Sequence, residues 1–161
     1  MSDVLALCGG LPQQHVAAGT PLIQEGGRTD RLYILRSGSF EVVRNGVRVI
    51  VISEPGAFLG EISVLLQSPP TADVVATMDS TVHVLEQAGT KVRQDPELTH
   101  AIAQLLARRL LAVTAYLVDI KRQYAGTDSH LALMDQVLAR LMDMQPAGAR
   151  PGSERGDVPD Y

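Results

Sequence analysis

A single cysteine, Cys8, stands among the 161 residues, so the chain can close no internal disulfide and build no multi-cysteine zinc site. Cys8 reads as a small apolar residue near a terminus. An excess of positive charge is also missing. Fourteen Lys and Arg face 18 Asp and Glu, a net charge of −4, and this balance speaks against a nucleic-acid-binding surface. No apolar run is expected to reach the roughly 18 residues that span a bilayer. The opening Met-Ser-Asp-Val-Leu-Ala-Leu has neither the basic start nor the long apolar stretch of a secretory signal. The expected setting is cytoplasmic, away from the membrane.

What is present supports a core. A hydrophobic fraction of 45% is ordinary for a globular chain and suffices without disulfide or metal. From about residue 12 to 88 the sequence is β-rich and broken by Gly and Pro. Leu32–Leu35 reads as a short apolar strand closed by Ser37-Gly38. Phe40–Val43 and Val47–Ile52 flank Asn45-Gly46, a hairpin signal because both turn positions tolerate positive φ. On the second of these strands Val47, Val49 and Val51 share one face. Arg48 is the one polar residue on the other, beside Ile50 and Ile52, so both faces are expected to be partly covered. Val74–Met78 and Thr81–Leu85 suggest a further strand pair across Asp79-Ser80. Many short strands with glycine turns indicate a sandwich or barrel.

The chain then turns helical. Asp95-Pro96 supplies an N-cap followed by proline at the first helical position. Ile102, Leu106, Leu110, Val113, Leu117, Ile120 and Tyr124 recur at near-heptad spacing, with Leu105 and Leu111 broadening the apolar face. Such a helix can pack on the roll or pair with its twin, and a homodimer through residues 96–124 is expected. Gly126 ends the helix. Ser129–Met144 repeats the amphipathic pattern, and the Pro- and Gly-rich residues 146–161 read as a disordered tail. The expected division is a helical stub at 1–11, a β-roll with its long helix at 12–125, an added helix at 126–145 and the tail.

The most telling stretch is Phe58–Ala76: Phe-Leu-Gly-Glu-Ile-Ser-Val-Leu-Leu-Gln-Ser-Pro-Pro-Thr-Ala-Asp-Val-Val-Ala. It has the form of a loop that opens a short helix, leaves it through a turn and enters a strand. Gly60 has no side chain in the way of a close backbone approach, and the amides that follow can face an anion at a helix start. This stretch resembles the phosphate-binding cassette of the cyclic nucleotide-binding domain family, the sensory module of the catabolite activator protein group. Gly19–Gly26, Leu32–Gly38, Pro55-Gly56 and Ala107-Arg-Arg-Leu110 resemble further family segments in the same order. The resemblance covers about residues 12–125.

The resemblance implies an α+β fold: a jelly-roll-like β-barrel with a short cassette helix and a long C-terminal helix, binding cAMP or cGMP inside. It implies that Gly60 and the amides of Ile62 and Ser63 meet the phosphate, and that Glu61 accepts from the ribose hydroxyl. Thr114 lies where relatives contact the base. One residue departs. Pro70 stands where the family places the arginine that grips the phosphate, although Thr71 beside it still offers a hydroxyl. Pro70 has neither charge nor amide to give. A charged hydrogen bond is worth roughly 1.5–3 kcal/mol, so its loss lowers affinity about ten- to hundredfold or more. Arg28, Arg31 and Arg48 are candidates to replace it.

Two functions follow. The first is a stand-alone sensor that binds a cyclic nucleotide and signals through its C-terminal helices to an effector protein, without contacting DNA, because Ser129–Met144 resembles only the first helix of the family's DNA-binding extension. The alternative is a degenerate barrel that lost its ligand with the arginine and serves as a dimerisation or protein-interaction module. An enzyme of the metal-dependent cupin type is disfavoured, because His15, His83, His100 and His130 are scattered and none sits two residues from another. No cofactor or metal is expected.

Overall fold

The computed structural model describes residues 2–123 together with 136, 137, 139 and 140. Most of the expected helix at 129–144, the expected tail at 146–161 and Tyr124 lie outside the described residues. By compactness the chain divides after Leu106 into a first unit, residues 1–106, and a second, residues 107–161.

The first unit begins with helix α1 (Ser2–Leu7) and strands β1 (Gln13–Val16), β2 (Pro21–Ile23), β3 (Arg31–Ser37), β4 (Phe40–Arg44), β5 (Val47–Ile52) and β6 (Phe58–Leu59). Helix α2 (Glu61–Leu66), strands β7 (Asp73–Ala76) and β8 (Ser80–Glu86), and helices α3 (Ala88–Gln94) and α4 (Pro96–Gln123) follow. The strands form two four-stranded antiparallel sheets in the orders β1-β8-β3-β6 and β2-β7-β4-β5. This is the expected jelly-roll-like arrangement, with a short helix in the cassette and a long one after the roll.

Alternation along β3, β6 and β8 explains the layering. Tyr33, Leu35, Leu59, Val82 and Val84 meet Ile23, Phe40, Val74 and Ala76 in a core between the sheets. Their neighbours Leu32, Ile34, Phe58 and Leu85 point the other way, onto Cys8, Val64 of α2, Ala88 and Val92 of α3, and Leu98 and Ile102 of α4. The first sheet is therefore covered on both faces, which is why β3 reads as a continuous apolar run and not as an alternation. Burial also pushes the Cys8 thiol pKa up.

Local signals are realised where they were expected. Asn45 and Gly46 both adopt positive φ, 51° and 75°, in the β4–β5 turn, and Asp95 Oδ1 accepts from the amides of Glu97 and Leu98 at 3.0 Å to cap α4. Three expectations need correction. β7 and β8 do not pair with each other: β7 lies between β2 and β4, and β8 between β1 and β3. The Asp79-Ser80 link supplies no positive φ for a tight hairpin. Ser80 Oγ instead takes a hydrogen bond from the Ser39 amide at 3.0 Å and donates to the Met78 carbonyl at 2.7 Å, helping the chain cross between sheets. The expected partial cover of both faces of β5 is also absent. Val47, Val49, Ile50 and Val51 are exposed and Ile52 is half-buried, because β5 is an edge strand that pairs with β4 alone. Finally, α4 is long and apolar enough to cross a membrane by length and composition. An average over 18 residues tolerates Arg108 and Arg109, which interrupt any continuous run. Its early residues Leu98 and Ile102 are packed in protein.

The α4 sequence thus splits into a core-packed root and an exposed continuation, where Leu111 is 71% exposed. Ile102→Ala is expected to lower the unfolding free energy by about 2–5 kcal/mol. Leu111→Ala in the same helix should change it by about 0.5 kcal/mol or less. Chemical denaturation of the two variants checks the difference.

Candidate functional site

The cassette is built by α2 and the turns on either side of it. Gly60 enters the helix with φ 90°, a left-handed conformation that disfavours a side chain, and no side chain caps the helix start. Its carbonyl accepts from Val64 at 3.2 Å, so the first helical amides, of Ile62 and Ser63, have no intrahelical acceptor. Glu61 follows in the first turn, where the helix dipole favours a carboxylate, and is 4% exposed. Ser63 is buried beside it and Ile62 is exposed. The helix ends after six residues at Gln67, also left-handed, whose amide and that of Ser68 both donate to the Ser63 carbonyl.

Pro70 is buried and Thr71 exposed in the segment leading to β7. Two bonds tie this segment to the loop between β2 and β3: the Gly26 amide donates to the Pro70 carbonyl at 2.8 Å, and the Glu25 amide to Asp73 Oδ1 at 2.7 Å. Gly60 faces the same loop region. A Cβ added to it would stand 3.1 Å from Ile23 Cδ1 and 3.4 Å from the Arg31 carbonyl.

Two cavities flank residues 27–30. One, of about 490 Å³, is walled by Ile23, Arg28, Arg31, Tyr33, Pro70 and neighbouring residues. The other, of about 430 Å³, is walled by Arg28, Ser63, Gln67, Ser68, Thr90 and Arg93 among others. Gly60, Glu61, Ile62 and Ser63 are thus contiguous at the start of α2, with Pro70 and Thr71 on the segment that returns from it. Ser63 lines one cavity and Pro70 the other, whereas Gly60, Glu61, Ile62 and Thr71 line neither. Thr114, half-buried on α4, falls in the second unit.

The three replacement cations differ. Arg31 is engaged by Glu86 at 2.9 Å, and that carboxylate raises the arginine's pKa further. Arg48 stands 3.9 Å from Glu41 across the β4–β5 pair. Arg28 takes part in no ion pair among the described residues, and lines both cavities. The joining of the 24–28 loop to Pro70 and Asp73 was not legible in the sequence, because it links residues more than 40 apart. The side-chain pattern of the Gly26-Gly27 turn gives no sign of its partner.

Residues 13–91 match the family model described as the cyclic nucleotide-binding domain. The chain belongs to the cyclic nucleotide-binding domain family through this segment. A cAMP-dependent protein kinase regulatory subunit of Blastocladiella emersonii is 35% identical over 82 residues, covering 48% of this chain and 20% of that protein. The catabolite activator protein of Thermus thermophilus superposes with a TM-score of 0.59 at 22% identity, covering 88% of this chain and 84% of that one. The regulatory subunit of a cAMP-independent protein kinase A from Trypanosoma brucei superposes with a TM-score of 0.51 at 24% identity, covering 62% and 35%. These two structures share the fold. The chain spans between a fifth and about a third of the length of the curated relatives it matches.

Gly60→Ala forces a Cβ into the left-handed region and against Ile23, so the unfolding free energy should fall by roughly 1–2 kcal/mol or more. Thermal and denaturant unfolding of the variant tests whether the cassette entry requires glycine.

Proposed function

We propose that this chain is a non-enzymatic regulatory module of cytoplasmic setting that binds a cyclic nucleotide, cAMP or cGMP, at the cassette. The observation that carries the reading is the start of α2 inside the family-matching segment: left-handed Gly60 followed by buried Glu61 and buried Ser63. In this reading Gly60 and the amides of Ile62 and Ser63 receive the cyclic phosphate, with Thr71 adding a hydroxyl. The carboxylate of Glu61 accepts from the ribose hydroxyl, a pairing suited to a charged acceptor, and Thr114 meets the base.

Output runs through α4 to an effector protein. Support comes from the shared core layer, in which Val64 of α2 and Leu98 and Ile102 of α4 belong to one buried cluster. A ligand that resets α2 therefore acts on packing that also holds the root of α4. Beyond that root, Leu110, Leu111, Val113 and Tyr116 expose large apolar surface, and we propose that α4 pairs with its copy in a homodimer. Leu110→Glu combined with Val113→Glu should then yield a monomer, read as a halved mass by sedimentation equilibrium. An unchanged mass would remove the helix pairing.

A second reading is favoured by Pro70 specifically: a barrel that keeps its fold, binds no cyclic nucleotide and works as a dimerisation or protein-interaction module. Calorimetric titration with cAMP and with cGMP separates the two. The sensor reading expects micromolar binding that is lost in Glu61→Ala. Absence of heat and of any thermal shift up to millimolar nucleotide would leave the second reading in its place.

A further inference from the structure

We propose that Arg28 supplies the cation for the bound phosphate that Pro70 cannot, reaching it from the β2–β3 loop through the cavity the two residues share. This inference rests on the sensor reading of the cassette, and it names a residue that the cassette itself does not contain.

Pro70 and Arg28 wall the same cavity of about 490 Å³, a volume within the range of small-ligand clefts, roughly 300–1,000 Å³. Ser63 of the cassette lines the neighbouring cavity of about 430 Å³, which Arg28 walls as well, so Arg28 is the cation common to the cavity at Pro70 and the cavity at Ser63. The loop bearing Arg28 is fixed to the cassette segment by the Gly26–Pro70 and Glu25–Asp73 bonds. Its guanidinium is thereby delivered from a tethered base.

Charge separates Arg28 from its rivals. The Arg31 guanidinium is held by Glu86, and Arg48 lies beside Glu41 on the β4–β5 pair, outside the lining of this cavity. The charged residues that wall the cavity are Arg28, Arg31, Asp30 and Glu86, and Asp30 Oδ1 already accepts from the Gly89 amide at 2.8 Å. Two cations offset two carboxylates. Without Arg28 the wall carries one net negative charge and repels a phosphodiester. A guanidinium also offers paired donors matched to phosphate oxygens, which an ammonium does not.

The test is titration of the full chain with cAMP and cGMP as wild type, Arg28→Ala, Arg28→Lys, Pro70→Arg, Arg28→Ala/Pro70→Arg and, as control, Arg48→Ala. Arg28→Ala should weaken binding about tenfold or more, since a charged hydrogen bond is lost. Arg28→Lys should fall between, and Arg48→Ala should bind as wild type. Pro70→Arg should restore binding in the Arg28→Ala background by a larger factor than it adds to wild type, the non-additivity of two groups serving one anion. Arg28 is exposed, so an unchanged melting temperature accompanies the loss. Equal binding by wild type and Arg28→Ala, or equal losses in Arg28→Ala and Arg48→Ala, overturns the assignment while leaving the sensor reading intact. A wild type that binds neither nucleotide at millimolar concentration overturns both.

Discussion

Burial of the sheet β1-β8-β3-β6 on both faces is the constraint on which the rest of the molecule depends. Leu32 and Ile34 face the helices while Tyr33 and Leu35 face the opposite sheet, so a single strand, β3, serves two cores at once. Helices α2, α3 and α4 are each seated on this sheet through a few side chains: α2 by Val64, α3 by Ala88 and Val92, α4 by Leu98 and Ile102. A close-packed layer has little slack, and a displacement of one of these helices is felt by the others. The position of the cassette helix is therefore set by a layer in which the root of the long helix also takes part.

How far the sequence reveals this depends on range. The β4–β5 hairpin is legible because Asn45-Gly46 fixes its own backbone, and the α4 start because Asp95 caps amides two and three residues on. The cassette is legible because Gly60, Glu61 and Ser63 lie within four positions of each other. Pairing of β7 with β8 is the error that adjacency invites. The two strands are three residues apart yet lie in different sheets, and the bonds of Ser80 to residues 39 and 78 that accompany the crossing are long-range as well as local. Helix α3 is missed because its apolar content is reduced to Ala88 and Val92, too few for a period. The cavity at Pro70 is assembled from four separate segments, and spacing within one of them cannot disclose the other three.

Seen as chemistry, the departure at Pro70 is local. Proline removes a charge and an amide hydrogen from the segment after α2 but leaves its carbonyl, and that carbonyl is in use, holding the Gly26 amide. The same residue that takes a charge out of the cassette segment thus fastens the loop from which Arg28 projects. Loss of one interaction and gain of another coincide at a single backbone unit.

The bare edge of β5 has a consequence for how the molecule meets its surroundings. The strand presents Val47, Val49, Ile50 and Val51 to solvent, and no described strand lies beyond it in its sheet. A row of open backbone donors and acceptors next to apolar side chains is a template for another extended chain. The features that oppose such growth are charge, from Arg44 and Arg48 on the hairpin arms, and brevity, since the strand runs for six residues. Arginines of like sign repel when two copies of this edge approach, and salt screens that repulsion over about 10 Å at 0.1 M. Ionic strength thereby sets how readily this edge recruits a fifth strand from outside the fold, in crowded solution and during refolding alike.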